Sequence, residues 1–185
     1  MSKEKEEIGL DKLSDKKKIK LLIWLCTMAY MISYVTRVNL SATLVEVAHS
    51  GFAAKDTAAL ALTVCSVTYG IGQVVSGWLC DRYKPQNLIL TGFFVTACVN
   101  FCVGSMTKHA WLVPLWGING FAQAMMWPPM VRIMSSRLGE EDYRTACVRV
   151  SWGSSAGTIL VYLAAPVLIG LLNVRWVFFV CAAAA

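Results

Sequence analysis

The sequence predicts an all-α membrane protein that crosses the bilayer several times. Its 185 residues are 57% hydrophobic and only 15% charged, and the mean hydropathy is +0.56. A soluble domain carries about 25% charged residues. Long apolar segments alternate with short polar breaks, as expected of helices that satisfy their own backbone hydrogen bonds within a bilayer. The composition therefore excludes a soluble protein with a large core.

Breaks in hydropathy divide the chain into an N-terminal tail, residues 1–19, and a transmembrane helix bundle, residues 20–185. A sixth helix is predicted to begin near Val174 and is too short to span a bilayer. Asp56 or Thr57 is the expected N-cap of the second span. Five full spans, each near the ~20 residues that a bilayer requires, are predicted at about 20–47, 57–80, 87–107, 111–136 and 145–172.

Basic residues are distributed unevenly between the two sides of these spans. If the tail is cytoplasmic, thirteen Lys and Arg residues fall on that side and three on the other, while Arg37 lies within the first span. The positive-inside rule then predicts a cytoplasmic N-terminus. We interpret the tail as a solvated segment before an uncleaved signal anchor. The same distribution argues for a lipid bilayer, and against nucleic acid, as the partner of the positive charge.

The seven cysteines lie within or close to the apolar segments, without a CxxC motif or a histidine at ligand spacing. Cys98 and Cys102 are four residues apart on one helix face, and we interpret them as small residues that pack between helices. The sequence also lacks a phosphate-binding glycine loop and a nucleophile–histidine pair. It therefore indicates neither an enzyme nor a metal or other cofactor.

Arg37 is the charge that most needs an explanation, because it lies in the outer half of the first span. A charged side chain there costs on the order of 3 kcal/mol unless water or protein surrounds it. Tyr30, Tyr34 and Ser41 share its helix face by their spacing. A guanidinium donates in a planar fork that suits two phosphate oxygens. We therefore predict an anion site, in preference to an ion pair, because the spans hold almost no acidic candidate.

Three motifs resemble those of the organophosphate:phosphate antiporters of the major facilitator superfamily. On the first span, Tyr30, Tyr34, Arg37 and Asn39 match Y-x-x-x-Y-x-x-R-x-N. The fourth span matches Q-x-x-x-W-P-P-x-x-R through Gln123, Trp127, Pro128, Pro129 and Arg132. The loop after the second span partly matches G-x-x-x-D-R-x-G-R-K through Gly77, Asp81 and Arg82.

These motifs suggest physical roles. We expect Gly77 to allow close helix packing. Asp81 and Arg82 are expected to bond helix ends and neighbouring charges when one side of a carrier closes. The paired prolines are expected to bend the fourth span, because they free backbone carbonyls.

The resemblance implies the N-terminal six-helix half of a twelve-helix carrier, with the sixth helix truncated, in a bacterial inner membrane. Such a carrier exchanges a phosphorylated metabolite for inorganic phosphate by alternating access, and its substrate lies between the two halves. The missing half, which supplies a second arginine, is then needed for transport. The residues that the resemblance and the helix faces nominate for contact with this small anionic solute are Arg37, Tyr30, Tyr34, Gln73, Gln123, Trp127 and Ser155.

Departures from the family leave the substrate open. Val38, Gln73 and Ser155 occupy the positions at which glycerol-phosphate members of the family carry Lys, Lys and His. Two alternatives therefore remain beside the phosphate exchanger. One is a ligand sensor of the same fold that does not transport, and the other is a carrier for a non-phosphorylated carboxylate or a sugar.

Polar side chains form stripes on two other spans. The fifth span carries one that could line an aqueous cavity or join helices by hydrogen bonds: Ser151, Ser154, Ser155, Thr158 and Tyr162. Asn119, Gln123 and Trp127 form a similar stripe on the fourth span. The third span shows no such stripe, and it is predicted to be a peripheral helix that faces lipid.

Overall fold

The computed structural model describes residues 12–185. The part of the predicted tail before Lys12, which includes its first two lysines, lies outside the described residues. Between Lys12 and Ala185 the chain forms eight α-helices and a short 3₁₀ turn at His109–Trp111. The helices are α1 (Lys16–Ala42), α2 (Leu44–His49), α3 (Lys55–Cys80), α4 (Pro85–Ser105), α5 (Leu112–Gln123), α6 (Trp127–Arg137), α7 (Glu140–Leu171) and α8 (Val174–Ala184).

Four of these helices, α1, α3, α4 and α7, are long and apolar enough to cross a membrane. Helices α5 and α6 together occupy the predicted fourth span, and α8 occupies the start of the sixth. Residues 12–185 contain no β-strand. The prediction of an all-α membrane protein is confirmed.

The predicted first span, 20–47, is in fact two helices. Helix α1 begins four residues early, where the Asp15 side chain accepts a hydrogen bond from the Lys17 backbone N–H at 2.9 Å. The last part of the predicted tail is therefore helical. Helix α1 ends at Ala42, and Thr43 (φ −105°, ψ 6°) separates it from α2. The Thr43 backbone N–H and hydroxyl both donate to the Asn39 carbonyl, at 3.0 and 2.9 Å, so Thr43 caps the end of α1.

The fourth span breaks at residues 124–126, as the prolines predict. Pro128 and Pro129 lie in the first turn of α6, so the carbonyls of Ala124 and Met125 lack the amide donors that a continuous helix would give them. The backbone also tightens at the break, where the N–H groups of Met125 and Met126 donate to the carbonyls of Ala122 and Gln123, at 3.1 and 3.2 Å. The joint between α5 and α6 therefore has fewer backbone hydrogen bonds than either helix.

Glycines bring the helix axes close together at the two longest interfaces. Helix α5 packs along α3, and α7 packs along α1. A Cβ added at Gly120 would overlap the Cys65 carbonyl, and one added at Gly153 would lie 2.6 Å from the Thr27 carbonyl oxygen. Small residues at such positions let backbones approach and gain dispersion energy, which is the main attraction between helices in a membrane.

Helix α4 is not the plain lipid-facing helix that the sequence predicted. Thr96 and Asn100, four residues apart, are both fully buried. The Asn100 side-chain oxygen accepts a hydrogen bond from Asn39 Nδ2 of α1 at 2.7 Å. Two polar residues on one face were too few to be recognised as a stripe, yet they fix α4 against α1 and α5.

Two other packing predictions need correction. Cys98 and Cys102 do not pack between helices: both are exposed, and they line an apolar groove beside Phe101 and Phe179. On α7, the hydroxyls of Ser151 and Thr158 donate to carbonyls of their own helix, at 2.8 and 2.9 Å. Among residues 12–185, the serine stripe therefore joins no helices, and the glycines of α7 make its close contact with α1.

Candidate functional site

Arg37 lines a cavity of about 340 Å³ that is formed by α1, α3 and the buried Trp116 of α5. We call this space the Arg37 cavity. Its wall combines polar and apolar side chains: Arg37, Val38, Ser41, Leu62, Cys65, Ser66, Tyr69 and Trp116. The predicted proximity of Arg37 and Ser41 on one helix face agrees with this geometry.

Two aromatic rings hold the Arg37 guanidinium. Its central carbon lies 4.1 Å from the ring centroid of Tyr34 and 4.7 Å from that of Tyr69. Both distances fall within the range of cation–π attraction. The ion pairs found in residues 12–185 involve Arg132 and Arg144, so no described carboxylate neutralises Arg37. A partly buried cation remains available to an anion.

A further layer of aromatic rings lies behind Tyr34. The Tyr30 ring centroid is 5.1 Å from that of Tyr34 and 5.1 Å from that of Trp127, the first residue of α6. Tyr30 is only 8% exposed and belongs to the core between α1, α6 and α7. These contacts form a continuous series, Arg37–Tyr34–Tyr30–Trp127, which we call the Arg37–Trp127 stack. Tyr30 and Trp127 thus support the site from behind and do not line the cavity.

Gln123 lies in a different environment, beside Ser33 and Thr36 of α1. Its Oε1 accepts a hydrogen bond from Ser33 Oγ at 2.6 Å. Its Nε2 donates to Thr36 Oγ1 at 2.9 Å and to Thr96 Oγ1 at 3.3 Å. The residue is 1% exposed. The structure places these four side chains together as a buried hydrogen-bond cluster between α1, α4 and α5, the Gln123 network, apart from the Arg37 cavity.

Gln73 and Ser155 are not part of the cavity wall. Gln73 lies one turn beyond Tyr69 on α3, and its Nε2 is buried without a hydrogen-bond partner among the described residues. Ser155 is exposed on α7, and its hydroxyl lies 3.4 Å from the Ser151 carbonyl of its own helix. Within residues 12–185, neither Gln73 nor Ser155 joins Arg37 in lining the cavity.

Tyr69 was not among the residues nominated from the sequence. A signal was present, because Tyr69 precedes Gln73 by four residues and therefore shares its face of α3. Nothing in the spacing, however, shows which face of α3 meets Arg37. That information comes only from the packing of α1 on α3.

The loop motif that contains Asp81 and Arg82 forms an ion pair with the fourth span. Arg132 Nη1 of α6 donates to Asp81 Oδ1 at 2.9 Å, and both side chains are substantially exposed. The Arg82 guanidinium carbon lies 4.1 Å from the Trp78 ring centroid. Gly77 does not support close packing: no atom of residues 12–185 outside its own helix backbone lies within 4 Å of a Cβ added there.

Comparisons with known proteins identify relatives at about 30% identity. A probable hexose phosphate transport protein of Chlamydia muridarum is 31% identical over 57% of this chain and 22% of its own length. The membrane sensor protein UhpC of Salmonella typhimurium is 29% identical over 65% and 27%. The glycerol-3-phosphate transporter of Bacillus subtilis is 30% identical over 64% and 28%. The chain therefore spans about a quarter of the length of these curated relatives.

The family assignment rests on a longer match. The sequence model of the Major Facilitator Superfamily matches residues 24–185, from the first membrane helix to the last residue. This range includes the Arg37 cavity, the Arg37–Trp127 stack and the Asp81–Arg132 ion pair. The chain belongs to the major facilitator superfamily of membrane transporters.

Proposed function

We propose that this chain is part of a secondary carrier that moves an organic anion, namely a phosphorylated metabolite exchanged for inorganic phosphate. The observation that carries the proposal is Arg37, a partly buried cation without a described carboxylate partner, at the wall of a cavity of about 340 Å³. Holding such a charge among apolar helices is costly. Attraction between the guanidinium and a bound anion offsets that cost, and anion binding would explain why the charge is there.

The surroundings of Arg37 suit a phosphoryl group. The rings of Tyr34 and Tyr69 hold the guanidinium by its faces, and its N–H groups lie in the guanidinium plane, where they can donate to two oxygens. Ser41 and Ser66 provide hydroxyls in the same cavity. We infer that Arg37 binds the anion. Tyr34 and Tyr69 hold the Arg37 guanidinium in position, and Tyr30 supports Tyr34.

The relatives support the choice of a phosphorylated substrate. Their names describe hexose phosphate and glycerol-3-phosphate transport. Because the chain spans about a quarter of their length, we infer that the rest of the protein completes the binding site and that both parts move together in alternating access. Gln73 and Ser155, which residues 12–185 leave outside the Arg37 cavity, are candidates for contact with that remaining part.

We also infer the orientation in the membrane. Asp81, Arg82 and Arg132 lie together at one end of the bundle, and the backbone N–H of Leu13 donates to the carbonyl of Arg137 at 2.9 Å, so Leu13 lies at that same end. The concentration of basic residues there supports a cytoplasmic N-terminus. We propose a bacterial inner membrane as the location, because the three relatives named above come from bacteria.

A second function, that of a ligand sensor, has one specific observation in its favour. The membrane sensor protein UhpC is similar to 65% of this chain. A sensor would use the same cation to bind the anion without moving it. A carrier for a non-phosphorylated carboxylate is a further variant, since Arg37 suits either anion.

Exchange assays separate these functions. Proteoliposomes that contain the full-length protein and internal inorganic phosphate are supplied with radiolabelled phosphate, glycerol-3-phosphate or glucose-6-phosphate outside. We expect uptake that depends on internal phosphate and is lost in Arg37→Lys. Phosphate binding without uptake would identify a sensor. Uptake of a carboxylate that phosphate does not inhibit would refute the phosphorylated substrate.

A further inference from the structure

The cytoplasmic ion pair and the Arg37 cavity are connected through one short helix. Helix α6 begins at Trp127, whose ring ends the Arg37–Trp127 stack. Five residues later it carries Arg132, which pairs with Asp81 at 2.9 Å. In an α-helix, five residues correspond to about 7.5 Å along the axis and about 140° around it. The two contacts therefore lie on different faces, and a rotation or tilt of α6 alters both.

Helix α6 has a joint that permits such a motion. Pro128 and Pro129 remove two backbone hydrogen bonds between α5 and α6. On the α5 side of the joint, Gln123 is fixed by hydrogen bonds to α1 and α4. The break therefore separates α5, which Gln123 anchors to α1 and α4, from α6, whose middle carries the exposed Asp81–Arg132 ion pair. Hinges of this kind absorb backbone changes at a few positions.

The stack itself is built to transmit a shift in side-chain position. Each member contacts the next, with 4.1 Å from the Arg37 guanidinium carbon to the Tyr34 centroid and 5.1 Å between the successive ring centroids. Tyr30 and Trp127 pack in a core that also includes the buried Met130 and Met134 of α6. Close-packed groups shift together, so a guanidinium that reorients toward an anion displaces Tyr34 and, through Tyr30, Trp127.

We propose that α6 couples anion binding at Arg37 to the Asp81–Arg132 ion pair, with Trp127 as a positioning residue that acts through Tyr30 and Tyr34. This proposal rests on the proposed function in one respect only, that Arg37 binds an anion. It assigns Trp127 a role in communication between two sites, where the sequence had suggested contact with substrate.

A double-mutant cycle tests the coupling. Equilibrium binding of radiolabelled inorganic phosphate is measured for the full-length protein as wild type, Asp81→Asn, Trp127→Ala and the double variant. Because coupling between sites is reciprocal, we expect Asp81→Asn to change the phosphate Kd by about 5-fold or more in the wild-type background. In the Trp127→Ala background we expect the same substitution to change it by less than about 2-fold.

Matched backgrounds separate coupling from general damage to α6. Met130 is also buried on α6 but lies outside the stack, so Met130→Ala should keep the 5-fold effect of Asp81→Asn. Trp127→Phe, which retains a ring, should keep it as well. If Trp127→Ala does not fold, Tyr30→Leu breaks the stack one residue earlier and should abolish the effect.

Two results would overturn the coupling: an unchanged phosphate Kd in Asp81→Asn, or an equal change in the wild-type and Trp127→Ala backgrounds. Arg37→Lys, measured in the same assay, distinguishes this failure from failure of the proposed function. If wild type binds phosphate and Arg37→Lys binds it much more weakly, the anion site stands even when the cycle is additive. If Arg37→Lys binds as well as wild type, both proposals fail.

Discussion

Helix α1 presents two polar faces that differ in how their polar groups are satisfied. On one face, Thr36 accepts a hydrogen bond from Gln123 and is fully enclosed by α4 and α5. On the other face, Arg37 lies against two aromatic rings at an open cavity, without a described carboxylate. Polar groups that hold helices together are paired within the protein, whereas groups that bind a solute keep their donors available.

The largest effect is expected at Arg37, on the open face. Arg37→Lys keeps the charge but replaces the planar fork with a point charge. Charge-assisted hydrogen bonds contribute about 1.5–3 kcal/mol each, so we expect phosphate exchange to fall by about 100-fold or more. The measurement is initial uptake in proteoliposomes, at matched amounts of inserted protein.

Arg149→Lys is the matched control, because Arg149 is exposed on α7 and lies outside the cavity wall. Its uptake should stay within about 2-fold of wild type, since surface substitutions usually change stability by less than ~0.5 kcal/mol. Equal losses in the two variants would mean that the open face of α1 has no special role.

The next largest effect concerns the glycines of the closed interfaces. A Cβ at Gly120 would overlap the Cys65 carbonyl of α3. Because backbone cannot move aside as a flexible side chain can, Gly120→Ala should destabilise the protein by about 1–3 kcal/mol. Thermal unfolding in detergent, followed by circular dichroism, measures the change.

Gly77→Ala makes the same chemical change where the described residues leave open space. Here the better helix propensity of alanine, up to about 1 kcal/mol, should leave the unfolding temperature unchanged or higher. A similar loss of stability in both variants would contradict the distinction between the two positions.

A smaller effect is expected at Gln123, on the paired face. Gln123→Leu leaves Ser33 without its acceptor and Thr96 without its donor. Hydrogen bonds between membrane helices contribute about 1–2 kcal/mol at most, so we expect a loss of this size in the free energy of unfolding. The phosphate Kd of the folded protein should remain within about 2-fold of wild type. A large increase in Kd with unchanged stability would instead place Gln123 in the binding site.

The smallest effect on stability is expected at the Asp81–Arg132 pair, whose side chains are 65% and 40% exposed. Exposed ion pairs contribute about 0–1 kcal/mol, so Asp81→Asn should hardly change the unfolding temperature. A charge exchange, Asp81→Arg with Arg132→Asp, should restore any loss of transport. If Asp81→Asn unfolds the protein, the pair is part of the closed core and not an adjustable contact.

Sequence patterns predicted the helical fold and the proximity of Tyr34 and Ser41 to Arg37, because both depend on local periodicity. Hydropathy gave the bounds of α3 and α4 to within about two residues. It missed the break at Thr43, since that position is neither Gly nor Pro and apolar residues continue on both sides of it. A Thr hydroxyl that donates to a carbonyl of its own helix competes with regular helix geometry, and hydropathy does not record that competition.

Contacts between helices were harder to predict. Tyr69 lies against Arg37, and Gln123 lies in the closed interface between helices. Either side chain has the chemistry to contact a solute or to join two helices. The difference depends on which face of α3 meets α1 and on how α4 covers Gln123. Periodicity places residues on a face, but it does not identify the neighbour of that face.

The exposed thiols of Cys98 and Cys102 offer a practical means of observing α4 in a membrane. They are one turn apart, about 6 Å along the axis, while Cys26, Cys65, Cys80 and Cys181 are buried and Cys147 is half-buried. A two-armed nitroxide attached to both thiols would be held at a fixed angle to the helix. In oriented bilayers of a Cys147→Ser variant, its electron paramagnetic resonance spectrum would then report the tilt of α4.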